Sequence, residues 1–448
     1  MQPTIRSWSE PESLPGILHF SLIGQLDSWQ LGSLPTANCP TYFPYICILN
    51  FDMPHLKNRI KRLAGGYLKE VTLMRRHLHA HPELSAQETQ TAAFIAKQLS
   101  AWGIEHQTHI AGHGIVALIH GGKQGKKVVA LRADMDALPI RENNKVPYIS
   151  KNHGVMHACG HDMHMASLLG TARILKSLED EISGTVKLIF QPSEEKYPGG
   201  ALPMIKAGVL ENPRPDFIIG QHVYPELEAG KVGLRSGKYM ASTDEVHLLV
   251  KGKGGHAAIP HKVIDPVVIA AQIILALQQI VSRNAQPTTP SVLSFGRIIA
   301  DGQANIIPDE VRISGTMRTF DEDWRLEMQN RIRTISASIA EGMGGHCEVT
   351  VNKGYPFVYN APGITKKIKG YAEQYLGKEN VVELDMRMTA EDFSYFANEI
   401  PGCFYRLGVM NEAMGITSNL HSATFDADES SLETGMGLMA WIVINELE

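Results

Sequence analysis

KVVALRAD (127–134), ASLLGTARILKSL (166–178) and GTVKLIFQPSEE (184–195) follow one another along the chain as an apolar strand, an amphipathic helix and a second apolar strand. That order predicts a strand–helix–strand unit in an α/β layer with a mostly parallel sheet. In such sheets, sites lie in the crevice beyond the carboxyl ends of the strands. Working outward, the pattern repeats. A helix is expected over 55–80, with Leu56, Ile60, Leu63 and Leu68 among Lys and Arg. A second helical stretch, QETQTAAFIAKQLSAWG, spans 87–103. IVALIHG (115–121) and DFIIGQHV (216–223) read as further strands.

The order changes between about 238 and 355. DEVHLLVKGKGG (244–255), SVLSFGRIIA (291–300), EVRISGTMRTF (310–320) and HCEVTVNKG (346–354) are strand candidates. DPVVIAAQIILALQQIVSR (265–283) and DEDWRLEMQNRIRTISASIAEG (321–342) are helices, the first with Pro266 in its opening turn. This β-α-β-β-α-β order suits a compact α+β insert of ferredoxin-like order. Helices and short strands return from 356 to 448. The expected organisation is therefore a catalytic domain in two parts, 53–237 and 356–448, interrupted by an inserted domain at 238–355. Residues 1–52 carry Ser, Pro, Trp and Cys without periodicity. They read as a disordered or non-native extension, of the kind produced by a start codon placed too early.

Composition narrows the function classes. The chain has 448 residues, a net charge of −5 and 20% charged residues. No basic face is apparent, so nucleic acid is not an expected partner. Five scattered cysteines do not suit a secreted disulfide framework, which points to a reducing, cytoplasmic compartment. No uninterrupted apolar run reaches the ~18 to 20 residues that span a bilayer, so no membrane partner is expected.

The densest polar cluster is MHACGHDMH (156–164), with His157, Cys159, His161, Asp162 and His164. Cys thiolate and His nitrogen are favoured ligands of zinc-like ions. Residues two apart do not share a helix face. Gly160 therefore predicts a tight loop that turns Cys159 and His161 toward one point, with a helix beginning near Asp162. The plain alternative is a buried Cys beside polar helix-start histidines, but a cluster this dense favours metal. In QPSEE (191–195), Glu194 and Glu195 follow a strand, where one carboxylate binds metal and the other faces the reacting water; adjacent acids in a solvated turn are the alternative. Asp134 and Asp136 in RADMDALPI suit the orientation of a ligand histidine. His222 in GQHVYP and His421 in NLHSATF are candidate ligands that, taken singly, read more simply as structural histidines. In the insert, GKGGHAAIPH brings His256 among glycines that permit close backbone approach, and QANIIPDE brings Asn305 before a strand, suited to polarising a carbonyl.

Together these motifs resemble the metallopeptidase-like amidohydrolases that include hippurate hydrolase, N-acyl-amino-acid amidohydrolases and the indole-acetyl-amino-acid hydrolases. RRHLHAHPELS (75–85), RADMDALP (132–139), MHACGHDMH, QPSEE, GQHVYP, GKGGHAAIPHKVIDP (252–266), NIIPDEVRISGTMRTF (305–320), AEDFSYF (390–396) and LHSATF (420–425) match in order, over about residues 56–448. The resemblance implies two divalent ions per subunit, of Zn, Mn, Co or Ni, held by Cys159, His161, Glu195, His222 and His421. It implies Glu194 as general base, with Asp136 in the catalytic group. His256, arriving from a partner subunit, and Asn305 would stabilise the oxyanion. The insert would act as a lid and dimerisation domain, giving a homodimer or tetramer. Arg318 and His164 are expected to contact substrate. Ser193, KYPGG (196–200) and Ala390 depart from the common pattern and bear on the pocket more than on the ligands. The expected reaction is hydrolysis of the amide of an N-acyl amino acid. An N-acetyl-diaminopimelate-type deacetylase, a small dipeptidase and a catalytically dead metal-binding dimer are the other readings.

Overall fold

The computed structural model describes residues 53–448. The expectation for 1–52 lies outside the described residues. An eight-stranded sheet runs in the order Glu105–Ile110, Gly114–His120, Ser183–Gln191, Lys123–Asp134, Phe217–Glu228, Gly402–Met410, Val232–Leu234, Val381–Glu383. Its centre is parallel: Asp134 pairs with Gln191, Arg132 with Gly220, and His222 with Arg406. One flank is antiparallel, as in the pairing of Glu105 with Leu118, while the other turns antiparallel at Val232–Leu234 and ends in its parallel pairing with Val381–Glu383. The sheet is mixed and mostly parallel, as the strand–helix alternation predicted. The carboxyl ends of the parallel strands converge on one edge, which is where the polar motifs sit.

The sheet is covered on both faces. Helices Met53–Ala80, His161–Lys176 and Ser431–Leu447 share one apolar core with it, containing Ile60, Leu168, Leu188 and Ile442. Ser431–Leu447 is apolar nearly all round and is correspondingly buried along its length. A smaller core on the other face packs Phe393, Phe396, Met204 and Phe404.

Residues 244–353 form a second, antiparallel sheet in the order Ser291–Ile299, Glu310–Thr319, Asp244–Lys251, His346–Lys353. Helices Pro266–Gln279 and Glu322–Gly342 bury Ile269, Ile273, Met328 and Ile332 with it. Asp265 and Asp321 cap these helices, accepting from Val267 N (2.8 Å) and Trp324 N (3.0 Å). The spatial order of the four strands is the ferredoxin-like one expected from their sequence.

Helix His161–Lys176 begins directly after Gly160, within one residue of the start expected near Asp162. Two readings need correction. His222 lies inside a strand rather than at its end, since Phe217–Glu228 continues along Gly402–Met410. The segment Pro266–Asn284 reaches 19 residues at a mean hydropathy of 1.5, long and apolar enough to cross a membrane by length and composition. Gln278, Gln279 and Arg283 interrupt it in sequence, and its Ile269, Ile273, Leu277 and Ile280 face lies in the core against the second sheet.

Candidate metal centre

Cys159 and His161 flank Gly160, whose backbone is left-handed at φ 79°. A Cβ at that position would lie 2.5 Å from Val223 Cγ2, so glycine is required both for the turn and for the approach to the neighbouring strand. The turn brings Cys159 Sγ to 3.5 Å from His222 Nε2. Glu195, in the loop after Ser183–Gln191, reaches His161 Nε2 at 3.9 Å and His421 Nε2 at 3.2 Å through one oxygen, Oε1. His421 arrives at the C-terminal end of the chain with φ 60°, its backbone N–H donating to Ala158 O at 2.8 Å.

Ligand atoms of Cys159, His161 and His222, of Cys159, Glu195 and His421, and of His161, Glu194 and Glu195 lie within 4.8 Å of one another in each group. The five predicted ligands and Glu194 thus form one connected cluster. Two atoms in its interior, His161 Nε2 and Glu195 Oε1, are buried without a hydrogen-bond partner. The ring orientations are fixed from outside. His161 Nδ1 donates to Asp136 O at 2.8 Å, and His222 Nδ1 to Val223 O at 2.8 Å. Each Nε2 is left facing the cluster, the arrangement of metal-ligating histidines.

Electrostatics favour a cation at this point. Burial, reinforced by Glu391 and Glu195, pushes the Glu194 carboxyl well above the ordinary range. Burial together with Glu195 and Glu194 pushes the Cys159 thiol up in the same way. Burial pulls the His161 imidazole down, but Asp134 and Asp136 outweigh it and hold it up at about 10. These are the shifts of a buried, negative cluster. A divalent ion bound by thiolate, imidazole and carboxylate relieves all three, so the donor set fits the implied metal.

Two predicted roles change on inspection. His164 was expected at the substrate, but it is buried with both nitrogens engaged. Nδ1 donates to Asp134 Oδ1 at 2.5 Å and Nε2 accepts from Val223 N at 2.8 Å. It ties the helix His161–Lys176 to two strands. Asp136 was expected in the catalytic group, but its oxygens accept Glu194 N (3.0 Å), Glu195 N (3.0 Å) and Ser85 Oγ (2.7 Å). It holds the glutamate pair and is a positioning residue.

Cys159, Glu194, Glu195, His222 and His421 of the cluster form one wall of a cavity of about 600 Å³, which Arg318 also lines. His256 and Asn305 are not among the lining residues. They lie at an exposed two-stranded pairing of Gly255–His256 with Ile306–Ile307. The sequence reading gave no role to Tyr355, Arg387, Glu391 or Arg406, which also line the cavity. Tyr355 Oη donates to Glu194 O at 2.7 Å. A signal for Arg406 existed: it is the one charged residue in the apolar strand GCFYRLGVM (402–410).

Comparison with known proteins gives the same picture. Residues 130–445 match the model of peptidase family M20/M25/M40. An N-acyl-L-amino acid amidohydrolase of Geobacillus stearothermophilus is 45% identical over 68% of this chain and 81% of its own. Thermostable carboxypeptidase 2 of Saccharolobus solfataricus is 40% identical over 85% of this chain and 95% of its own. The crystal structure of the Bacillus subtilis YXEP protein, described as a dinuclear metal binding peptidase, superposes with a TM-score of 0.74 at 35% identity. That match covers 86% of this chain and 99% of the other.

Proposed function

The chain belongs to peptidase family M20/M25/M40 and is an amidohydrolase that uses divalent metal, and on that premise we propose that it cleaves the amide bond of N-acyl amino acids. The observation that carries this reading is the convergence of Cys159, Glu195, His222 and His421 with Glu194 on one cavity wall, with His161 directly behind them and its buried Nε2 without a hydrogen-bond partner. The five residues would hold two divalent ions, of Zn, Mn, Co or Ni, which suit a mixed N, O and S donor set. When bound, such ions lower the pKa of a coordinated water and polarise the acyl oxygen.

The chain's own residues do the rest. Glu194 accepts the water's proton at its carboxylate and returns it to the leaving amine. Asp136 and Tyr355 hold the Glu194 backbone from its two ends. Arg318 pairs with the substrate's carboxylate. Residues 53–237 and 356–448 form the catalytic domain, and 238–355 the lid. His256 and Asn305 reach the oxyanion from a partner subunit, in a homodimer or a tetramer built from such dimers. The outer side of Pro266–Gln279 supports an interface there, with Val267, Val268 and Leu275 exposed at 41%, 48% and 67%. The three described cysteines are buried and free, in keeping with a reducing, cytoplasmic setting.

A panel of N-acyl amino acids, assayed with each metal restored to the metal-free protein, tests the reading. Turnover of an N-acetyl or N-benzoyl amino acid is expected; no turnover with any metal rejects it. Peptide cleavage is the second reading, favoured by the likeness to the carboxypeptidase, and dipeptides in the same panel separate the two.

A further inference from the structure

Four arginines are buried among the described residues: Arg75, Arg132, Arg325 and Arg406. Three are matched by acids in direct contact. Arg75 meets Asp162 at 2.7 Å, Arg132 meets Asp134 at 2.6 Å, and Arg325 meets Asp244 at 2.5 Å. Arg406 differs. It is 3% exposed, and among the described residues no carboxylate oxygen lies within 4.0 Å of its guanidinium. Its Nε donates to Tyr239 Oη at 2.9 Å, and Nη2 lies 3.1 Å from Met240 Sδ. The rings of Phe404 and Tyr239 sit 5.2 and 5.7 Å away. Glu391 is the acid whose field it feels most, but Glu391 is already paired with Arg132 at 3.0 Å.

Arg406 is also the one of these four that lines the cavity. It stands opposite His222 in parallel register, so both side chains leave the sheet on the same face, beside the metal centre. Two more arginines line the cavity. Arg387 reaches Glu226 at 3.5 Å and stacks over Tyr224. Arg318 donates to Thr316 Oγ1 at 3.2 Å and, like Arg406, has no acid partner among the described residues. A substrate with one carboxylate satisfies Arg318 and leaves Arg406 buried with no carboxylate in contact, held only by the Tyr239 hydroxyl, the neighbouring rings and the more distant field of Glu391.

We propose that Arg406 binds a second carboxylate of the substrate, so that the preferred substrates are dicarboxylic N-acyl amino acids held between Arg406 and Arg318. This rests on the amidohydrolase reading and narrows its substrate class. The second carboxylate belongs either to the amino-acid side chain or to the acyl group.

Two matched pairs test it with the metal-loaded full chain: N-acetylglutamate against N-acetylglutamine, and N-succinylalanine against its terminal amide. In at least one pair kcat/KM for the acid should exceed that for the amide on the order of a hundredfold, mainly through KM. The responding pair identifies which side of the amide carries the carboxylate. Arg406→Met should collapse that ratio to a few-fold, and Arg406→Lys should keep part of it. Ratios near one in the wild type, while N-acetylmethionine is hydrolysed, overturn the role of Arg406 and leave the amidohydrolase reading standing. A preference that survives Arg406→Met overturns it equally. If Arg406→Met does not fold, or no amide is cleaved, calorimetric binding of glutarate against its monoamide to the wild-type protein decides. Tighter binding of glutarate supports the proposal, and equal binding overturns it.

Discussion

The carboxylate of Asp136 accepts the backbone N–H of Glu194 at 3.0 Å, through Oδ1. Its other oxygen accepts Glu195 N, so one side chain sets the loop that carries both the proposed base and a proposed ligand. Asp136→Asn keeps the shape but turns one acceptor into a donor facing an N–H. Turnover should fall about 10- to 100-fold, with a smaller loss of metal, as for other residues that hold ligands from behind. Steady-state kinetics and elemental analysis on the same sample check this; a wild-type kcat would show that Asp136 does not position the glutamate pair.

Glu194→Gln preserves volume and removes the proton acceptor. Bound metal should stay near the wild-type amount while kcat falls by about 10² to 10⁴. An unchanged kcat rejects Glu194 as the base.

Gly160→Ala introduces a Cβ that meets Val223 Cγ2 at 2.5 Å, in a backbone at φ 79° that alanine adopts with strain. The cost is about 1–3 kcal/mol of stability. The Cys159–His161 pair is displaced with it, so metal content measured after dialysis should drop below that of wild type. Full occupancy in a normally folded variant would mean the close approach at Gly160 is not what sets the ligand geometry.

His157 is buried with neither ring nitrogen partnered, and burial pushes its pKa from 6.5 down to about 4. Between those values the unfolded chain takes up a proton that the folded chain does not. Stability from this group is therefore present above about pH 6.5 and is lost as pH falls toward 4, by up to about 1.4 kcal/mol per pH unit. His157→Leu should flatten that part of the profile in denaturant titrations between pH 7 and 5. An identical slope in the variant rules His157 out as its source.

His256 is exposed and absent from the lining of its own chain's cavity. If it serves a partner's cavity, His256→Ala and Glu194→Gln proteins are each inactive alone and regain activity when co-assembled, since one of the two sites then has both groups. Inactive heterodimers, verified by mass, argue for a site complete within one chain.

Much of this molecule is written locally. Periodicity located the strands KVVALRAD and GTVKLIFQPSEE and the six elements between 244 and 353, because each buries one face or both against a partner layer. The central strand Gly402–Met410 was not resolved by pattern. Its arginine interrupts the apolar run, and its partner, Phe217–Glu228, lies about 180 residues earlier. Asp136 and His164 were recognised as polar residues near the site, but their roles depend on which atoms they meet. Those atoms, Glu194 N and Val223 N, belong to distant segments.

The sequence by itself determined the fold class and the family, and it named the candidate ligands, since Cys159, His161, Glu195, His222 and His421 sit in short motifs whose chemistry is local. Tertiary structure alone decided which side chains share the cavity. It joined Glu195 to His421 through one oxygen, separated His256 and Asn305 from the chain's own centre, and left Arg406 buried without an acid. The reason is physical: ligand identity is a property of a residue, whereas charge compensation is a property of everything within a few ångströms of it.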